Sequence, residues 1–189
     1  MKKGFRILKF KKDRPIFEVK DISKSFDGRP ILKKLSIKVF PGECVGILGP
    51  NGCGKTTLFS MCIGEQNPES GKIYLNNKAI DQIPIHLRSN EGLGYLPQQR
   101  SVFNLSTYDN IFGICQLYFK DREKQKAVTE KLLDEFNLQH LRSLNASVLS
   151  GGEVRRVMLA RLMINKPKIV LLDEPLAALD PQIIQDIQK

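Results

Sequence analysis

Apolar and polar positions alternate over Ile16-Phe17-Glu18-Val19 and again over Leu35-Ser36-Ile37-Lys38-Val39, the period of two that predicts half-exposed strands. After a turn at Pro41-Gly42-Glu43, the run Cys44-Val45-Gly46-Ile47-Leu48 is short, mostly apolar and uncharged, which predicts a buried strand. A glycine-rich loop follows, then a helical stretch from Thr56 to about Ile63. Positions 68–77 predict a hairpin, with a turn at Glu69-Ser70-Gly71, a strand Lys72-Ile73-Tyr74-Leu75 and a turn at Asn76-Asn77. Leu93-Gly94-Tyr95-Leu96 predicts another short strand, closed by Pro97.

From about 106 to 142 the texture turns helical. Val128, Leu132, Leu133 and Phe136 fall on one face and Glu130, Lys131 and Asp134 on the other. A second amphipathic helix is expected from about Gly152 to Ile164, with Val154, Met158 and Leu162 aligned. Lys168 to Leu172 reads as a buried strand that delivers Asp173 and Glu174. Strands alternating with helices imply an α/β domain with a largely parallel core sheet.

Composition narrows the class. A chain of 189 residues with 41% hydrophobic and 26% charged side chains can bury a core, and is neither disordered nor fibrous. The longest aliphatic runs, such as Ile169-Val170-Leu171-Leu172, are far too short to span a bilayer. Four cysteines (Cys44, Cys53, Cys62, Cys115) lack zinc-ligand spacing and suggest a reducing, cytoplasmic setting. The net charge of +10 is concentrated at the start, where Lys2, Lys3, Arg6, Lys9, Lys11, Lys12 and Arg14 face only Asp13. That tail is either solvated disorder or a weak attraction to an anionic membrane surface. A basic face for nucleic acid is not indicated.

Three elements carry chemistry. Gly49-Pro50-Asn51-Gly52-Cys53-Gly54-Lys55-Thr56 fits the phosphate-binding P-loop pattern, followed by Thr57. Glycines let successive N–H groups turn inward around phosphates, Lys55 reaches the β/γ oxygens, and Thr56 offers a hydroxyl to Mg²⁺. Cys53 is either a reactive thiol beside Lys55 or a small residue that merely fits the loop. The second element is the apolar strand ending in Asp173, suited to organise hydrated Mg²⁺, and Glu174, suited to orient or deprotonate a water. The third is Leu149-Ser150-Gly151-Gly152-Glu153 at a helix start. A helix cap explains it without further function. It also makes a second anion site, which a P-loop chain does not need for its own nucleotide and which could complete the pocket of another subunit.

In this order, the three elements resemble the ATP-binding cassette (ABC) ATPases, over about residues 16–189. The resemblance implies a P-loop ATPase fold with a mixed core sheet, an antiparallel β subdomain and a helical signature subdomain over about 104–150, behind a basic tail at 1–15. It further implies that Phe26 stacks on adenine, although a core Phe is the plainer alternative, and that Gln98 reaches Mg²⁺ and the attacking water. Ser150, Gly151 and Gly152 would bind the partner's ATP, and Leu179-Asp180 would form the loop that crosses the dimer interface. Implied partners are a second, head-to-tail ATPase subunit and membrane permease subunits that hold the pair at the cytoplasmic face of an inner membrane. The transported substrate would not touch this chain.

Gly94-Tyr95-Leu96-Pro97-Gln98, Ser101-Val102-Phe103, Leu105-Ser106-Thr107-Tyr108-Asp109-Asn110 and Ile83-Pro84-Ile85-His86-Leu87-Arg88 look like the lipopolysaccharide-export group of the family. Branched-chain amino-acid importers share parts of this pattern, and a soluble, non-transport ABC ATPase is a further alternative. The family also carries a switch histidine about 30 residues beyond the acids of the Asp173-Glu174 strand. His86 and His140 lie upstream, so by resemblance the chain reads as C-terminally truncated, without that histidine and without one core strand.

Overall fold

A computed structural model of the chain describes residues 14–173. The basic stretch at 1–13 and positions 174–189 lie outside the described residues. In chain order the elements are β1 (Phe17–Phe26), β2 (Arg29–Val39), α1 (Lys55–Ile63), β3 (Ser70–Leu75), β4 (Lys78–Ala79), α2 (Ile85–Glu91), β5 (Leu93–Leu96), α3 (Thr107–Tyr118), α4 (Arg122–Glu135), α5 (Gly151–Met163) and β6 (Ile169–Leu172). They form two compact units, divided in sequence between Glu91 and Gly92.

The first unit is built on an antiparallel sheet in the order β2-β1-β3-β4. β1 and β2 form one long hairpin whose pairing runs from Phe17↔Val39 to Phe26↔Arg29. It closes at Asp27-Gly28, both at positive φ, a turn whose twist matches that of the strands. Register shifts in β1 between Val19 and Ile22 re-aim the strand, so that Ile22 is buried beside Phe17 and Val19 while Asp21 is exposed. The sheet thus buries Phe17, Val19, Ile22, Ile73 and Leu75, and α1 buries Leu58, Met61, Cys62 and Ile63. Ser70 and Gly71, expected in a turn, belong to β3, which pairs with β1 through Ser23↔Ser70 and Phe17↔Leu75.

One expectation fails in this unit. Positions 44–48 form no strand and are exposed, Leu48 at 95%. Among the described residues no strand pairs with this run. An apolar sequence alone does not make a strand, because its N–H and C=O groups need a neighbouring ladder before burial is favourable.

In the second unit β5 and β6 lie parallel, paired from Leu93↔Ile169 to Leu96↔Leu172. β6 is half-buried rather than buried. Helices α3, α4 and α5 enclose a core that includes Ile111, Cys115, Leu132, Leu133, Leu138, Val154, Val157 and Met158. α4 buries the face expected of it, but with two polar members. Gln125 donates to the Phe119 carbonyl at 2.7 Å and Thr129 to the Gln125 carbonyl at 2.8 Å, so neither is buried unpaired. Each helix here begins on an oxygen-bearing cap: Ser106 for α3, Asp121 for α4 and Ser150 for α5. Among the described residues no helix is long and apolar enough to cross a membrane.

Candidate functional site

The glycine-rich loop leads directly into α1. Gly54 caps that helix at φ 96°, a left-handed conformation that few side chains tolerate. It is also buried against β2, where an added Cβ would lie 2.8 Å from Ile31 Cγ2 and 3.1 Å from Leu32 Cδ2. Backbone angle and packing therefore both require glycine here. The first turn of α1 has no side-chain cap and no acidic residue, so the positive end of the helix is not neutralised from within. Lys55 folds back onto the loop, its Nζ donating to the carbonyls of Gly49 at 2.6 Å and Pro50 at 3.0 Å, with Cys53 Sγ at 3.9 Å. Asn51, Gly52, Cys53 and Thr56 are exposed, and Thr57 is half-buried. The arrangement offers N–H donors, a hydroxyl and an ammonium to an anion.

Phe26 ends β1, exposed, with Lys24 Nζ 5.6 Å from its ring centroid. It is not a core phenylalanine. An exposed ring beside a cation is available for stacking, as the aromatic reading requires.

The other site residues belong to the second unit. Pro97 and Gln98 follow β5, and Asp173 follows β6, its N–H donating to the Leu96 carbonyl at 3.0 Å. The parallel pairing therefore brings the Gln98 turn and Asp173 to the same ends of adjacent strands, where ligands of α/β sheets gather. Gln98 is exposed and Asp173 buried. Glu174 and Leu179-Asp180 lie outside the described residues.

Ser150 caps α5 in a reciprocal box. Its backbone N–H and its hydroxyl each donate to Glu153 Oε2 at 2.7 Å, and the Glu153 N–H returns to the hydroxyl at 3.4 Å. These bonds from Ser150 hold the Glu153 carboxyl below the usual carboxylate range. Gly151 and Gly152 open the helix behind it.

The ABC transporter family profile matches residues 32–177. The chain belongs to that family. It is 41% identical over 172 residues to the lipopolysaccharide export system ATP-binding protein LptB of Escherichia coli, covering 90% of this chain and 71% of that protein. It is also 41% identical over 168 residues to a probable ABC transporter ATP-binding protein of Azorhizobium caulinodans, covering 88% of this chain and 60% of that one. Among solved structures it resembles CbiO1 of Clostridium perfringens, described as part of the ABC transporter complex CbiONQ, with a TM-score of 0.82 at 29% identity, over 93% of this chain and 71% of that one. The ATP-binding cassette MJ1267 gives a TM-score of 0.81 at 28% identity, over 92% and 74% of the two chains.

The ABC fold is thus established for this chain, and with it ATP binding and ATPase activity as the ATP-binding subunit of a transporter. Each unit, taken by itself, carries oxygen donors of a kind that suits Mg²⁺. Among the described residues no cluster of three or more His, Cys, Asp or Glu side chains could cage a metal. A small hard cation that keeps several waters needs no cage; one carboxylate, hard neutral oxygens and substrate phosphates suffice. Asp173, the Thr56 hydroxyl and the Gln98 amide oxygen are donors of that kind.

Sequence reasoning assigned no structural role to two arginines of this ATPase. Arg88 and Arg155 are both buried, and both donate to backbone carbonyls around the site elements. Within a single sequence, an arginine on a helix gives no signal that separates it from a solvent-facing one.

Proposed function

We propose that this chain is the ATP-hydrolysing subunit of a lipopolysaccharide exporter, working as a head-to-tail pair beneath membrane permease subunits at the cytoplasmic face of an inner membrane. The likeness to LptB, spread over 90% of the chain, is the observation that supports this substrate.

In this reading Phe26 stacks on adenine, a contact worth about 1–3 kcal/mol that discriminates little among bases. The N–H groups of 49–57 surround the phosphates, and Lys55 exchanges the Gly49 and Pro50 carbonyls for β/γ oxygens. Thr56, Gln98 and Asp173 are the oxygen donors for Mg²⁺, which when bound neutralises charge that develops on the transferred phosphoryl group. Glu174 orients or deprotonates the attacking water, and Gln98 helps to position it. Ser150, Gly151 and Gly152 contact the nucleotide of the partner chain. A twofold pair exchanges these roles, so both composite sites form from one self-complementary interface. The transported lipid does not touch the chain, and nucleic acid is not a partner.

Pull-down of the tagged chain from detergent-solubilised membranes, with a nuclease-treated ribosome fraction as the comparison, tests the assignment. Recovery of lipopolysaccharide-export permease subunits is expected. Recovery of amino-acid permeases would replace the substrate, and recovery with ribosomes alone would overturn the transport role.

A further inference from the structure

Arg155 sits in α5, five residues beyond Ser150, and is only 7% exposed. Its Nη1 donates to the Pro97 carbonyl at 2.5 Å and its Nη2 to the Asp173 carbonyl at 3.3 Å. These carbonyls close β5 and β6, strands already paired at Leu96↔Leu172 and tied by the Asp173 N–H to Leu96. One guanidinium thus spans both strand ends, and each carbonyl belongs to, or directly precedes, a residue of the site. A planar fork serves the two carbonyls from two separate nitrogens at a fixed spacing, which the single nitrogen of an ammonium does not reproduce.

The arrangement is costly for a residue whose role is packing. Burial pushes the Arg155 guanidinium down from its ordinary range, with the charges of Asp173 and Tyr95 opposing that shift. A well-packed apolar side chain of similar volume would secure the helix as well or better. What an apolar side chain cannot do is fix two backbone turns against each other and against α5.

We propose that Arg155 is a positioning residue for the ATPase reaction: it locks the Gln98 turn and Asp173 to the helix that carries Ser150. The ligands offered to Mg²⁺ by this unit and the residue offered to the partner's nucleotide then move as one body. The inference rests on the reading of Gln98 and Asp173 as Mg²⁺ ligands, and the experiment separates the two.

ATP affinity of the full chain is measured by calorimetry with Mg²⁺ and again in EDTA, and the ratio gives the Mg²⁺-dependent gain. Arg155→Met is expected to lose about tenfold of that gain, the usual scale for removing a support behind metal ligands, while its affinity in EDTA changes less than about twofold. Arg155→Lys, with one nitrogen in place of two to reach the carbonyls, falls between. Hydrogen exchange adds a readout free of nucleotide, with the Asp173 amide exchanging faster in both variants. Unchanged gain and unchanged exchange in Arg155→Met overturn the proposal. If that variant binds no ATP even in EDTA, it has not folded, and Arg155→Lys decides by the same two measurements. A parent chain with no Mg²⁺-dependent gain sinks the ligand assignment itself.

Discussion

Gly64 leaves the place of its missing side chain to Arg88: a Cβ built there would lie 2.6 Å from Arg88 Nε and 2.8 Å from Cζ. The glycine ends α1 at φ 91°, and its N–H donates to the Ser60 carbonyl. Arg88, 2% exposed, reaches under that end. It donates to the carbonyls of Met61 at 2.8 Å, Cys62 at 2.7 Å, Ile83 at 2.7 Å and Asp81 at 3.0 Å. The last carbonyls of a helix have no partner within it, and a cation there also suits the helix dipole. The helix that begins on the phosphate loop is therefore held from its far end by one buried arginine.

Gly64→Ala should destabilise the protein by about 1–3 kcal/mol from the left-handed backbone alone, before the collision with Arg88 is counted. Arg88→Met should cost about 3–5 kcal/mol, because it strands buried carbonyls. Urea unfolding measures both. A loss below about 0.5 kcal/mol, the scale of an ordinary surface change, would show that the carbonyls find water instead.

Cys62, beside this arginine, gives a pH signature. Burial pushes its thiol up from 9.0 to about 12, only partly opposed by the Arg88 charge. Below pH 9 the thiol is protonated in folded and unfolded chains alike, so its contribution is intact. Above pH 9 the unfolded chain loses the proton while the folded chain keeps it, and stability falls by about 1.4 kcal/mol per pH unit until the folded thiol ionises. Cys62→Ala should remove that slope between pH 9 and about 12 in unfolding measurements, and leave the pH dependence below 9 unaltered.

Much of this architecture is legible in the chain. α1, β5, α4 and α5 stand where periodicity places them, because in each the local pattern and the tertiary burial agree; the Asp173 strand stands in place but only half-buried. The failures are those of partnership. Positions 44–48 have the composition of a buried strand, but burial requires a ladder, which no local pattern encodes. The β1–β2 hairpin is longer than the alternation suggests, since Lys20, Asp21 and Lys24 interrupt it where the register shifts. The bonds of Arg88 to Met61 and Cys62 and of Arg155 to Pro97 and Asp173 span 18 to 58 residues, a separation that no local pattern encodes. An exposed Phe26 was equally beyond the sequence, which could not separate a stacking ring from a core one.

In the proposed reading, Lys55 changes partners when nucleotide binds. Its carbonyl contacts are weak compensation for β/γ oxygens, so Lys55→Ala should cost about 1.5–3 kcal/mol of ATP affinity, roughly 10- to 100-fold. The same loop gives a second readout. Cys44 and Cys53 are exposed, whereas Cys62 and Cys115 are buried. Maleimide should label the first two, and ATP should protect Cys53 but not Cys44. Mass spectrometry showing Cys62 or Cys115 labelled first, or ATP protecting neither exposed thiol, would count against the loop as the phosphate site.

The hydroxyl of Ser150 has one proton, and it is already committed to Glu153 Oε2 at 2.7 Å. If that hydroxyl serves the partner's nucleotide, an incoming phosphate must compete with a carboxylate that also repels it. Glu153→Gln keeps an oxygen to accept the Ser150 N–H, removes the negative charge and frees the contest. It should therefore strengthen ATP-driven pairing, measured by light scattering with Glu174→Gln in both chains to prevent turnover. Ser150→Ala should weaken pairing and also cost about 1 kcal/mol of stability through the lost cap. Acid separates the two effects. The Glu153 carboxyl titrates below its ordinary 4.5, so the cap is intact above that pH and is lost as pH falls through the lowered value. Between pH 6 and 8 the carboxylate is fully charged, and the advantage of Glu153→Gln in pairing should be constant across that range. A Glu153→Gln chain that pairs no better than its parent at any of these pH values would mean that Ser150 caps a helix and does nothing for the nucleotide.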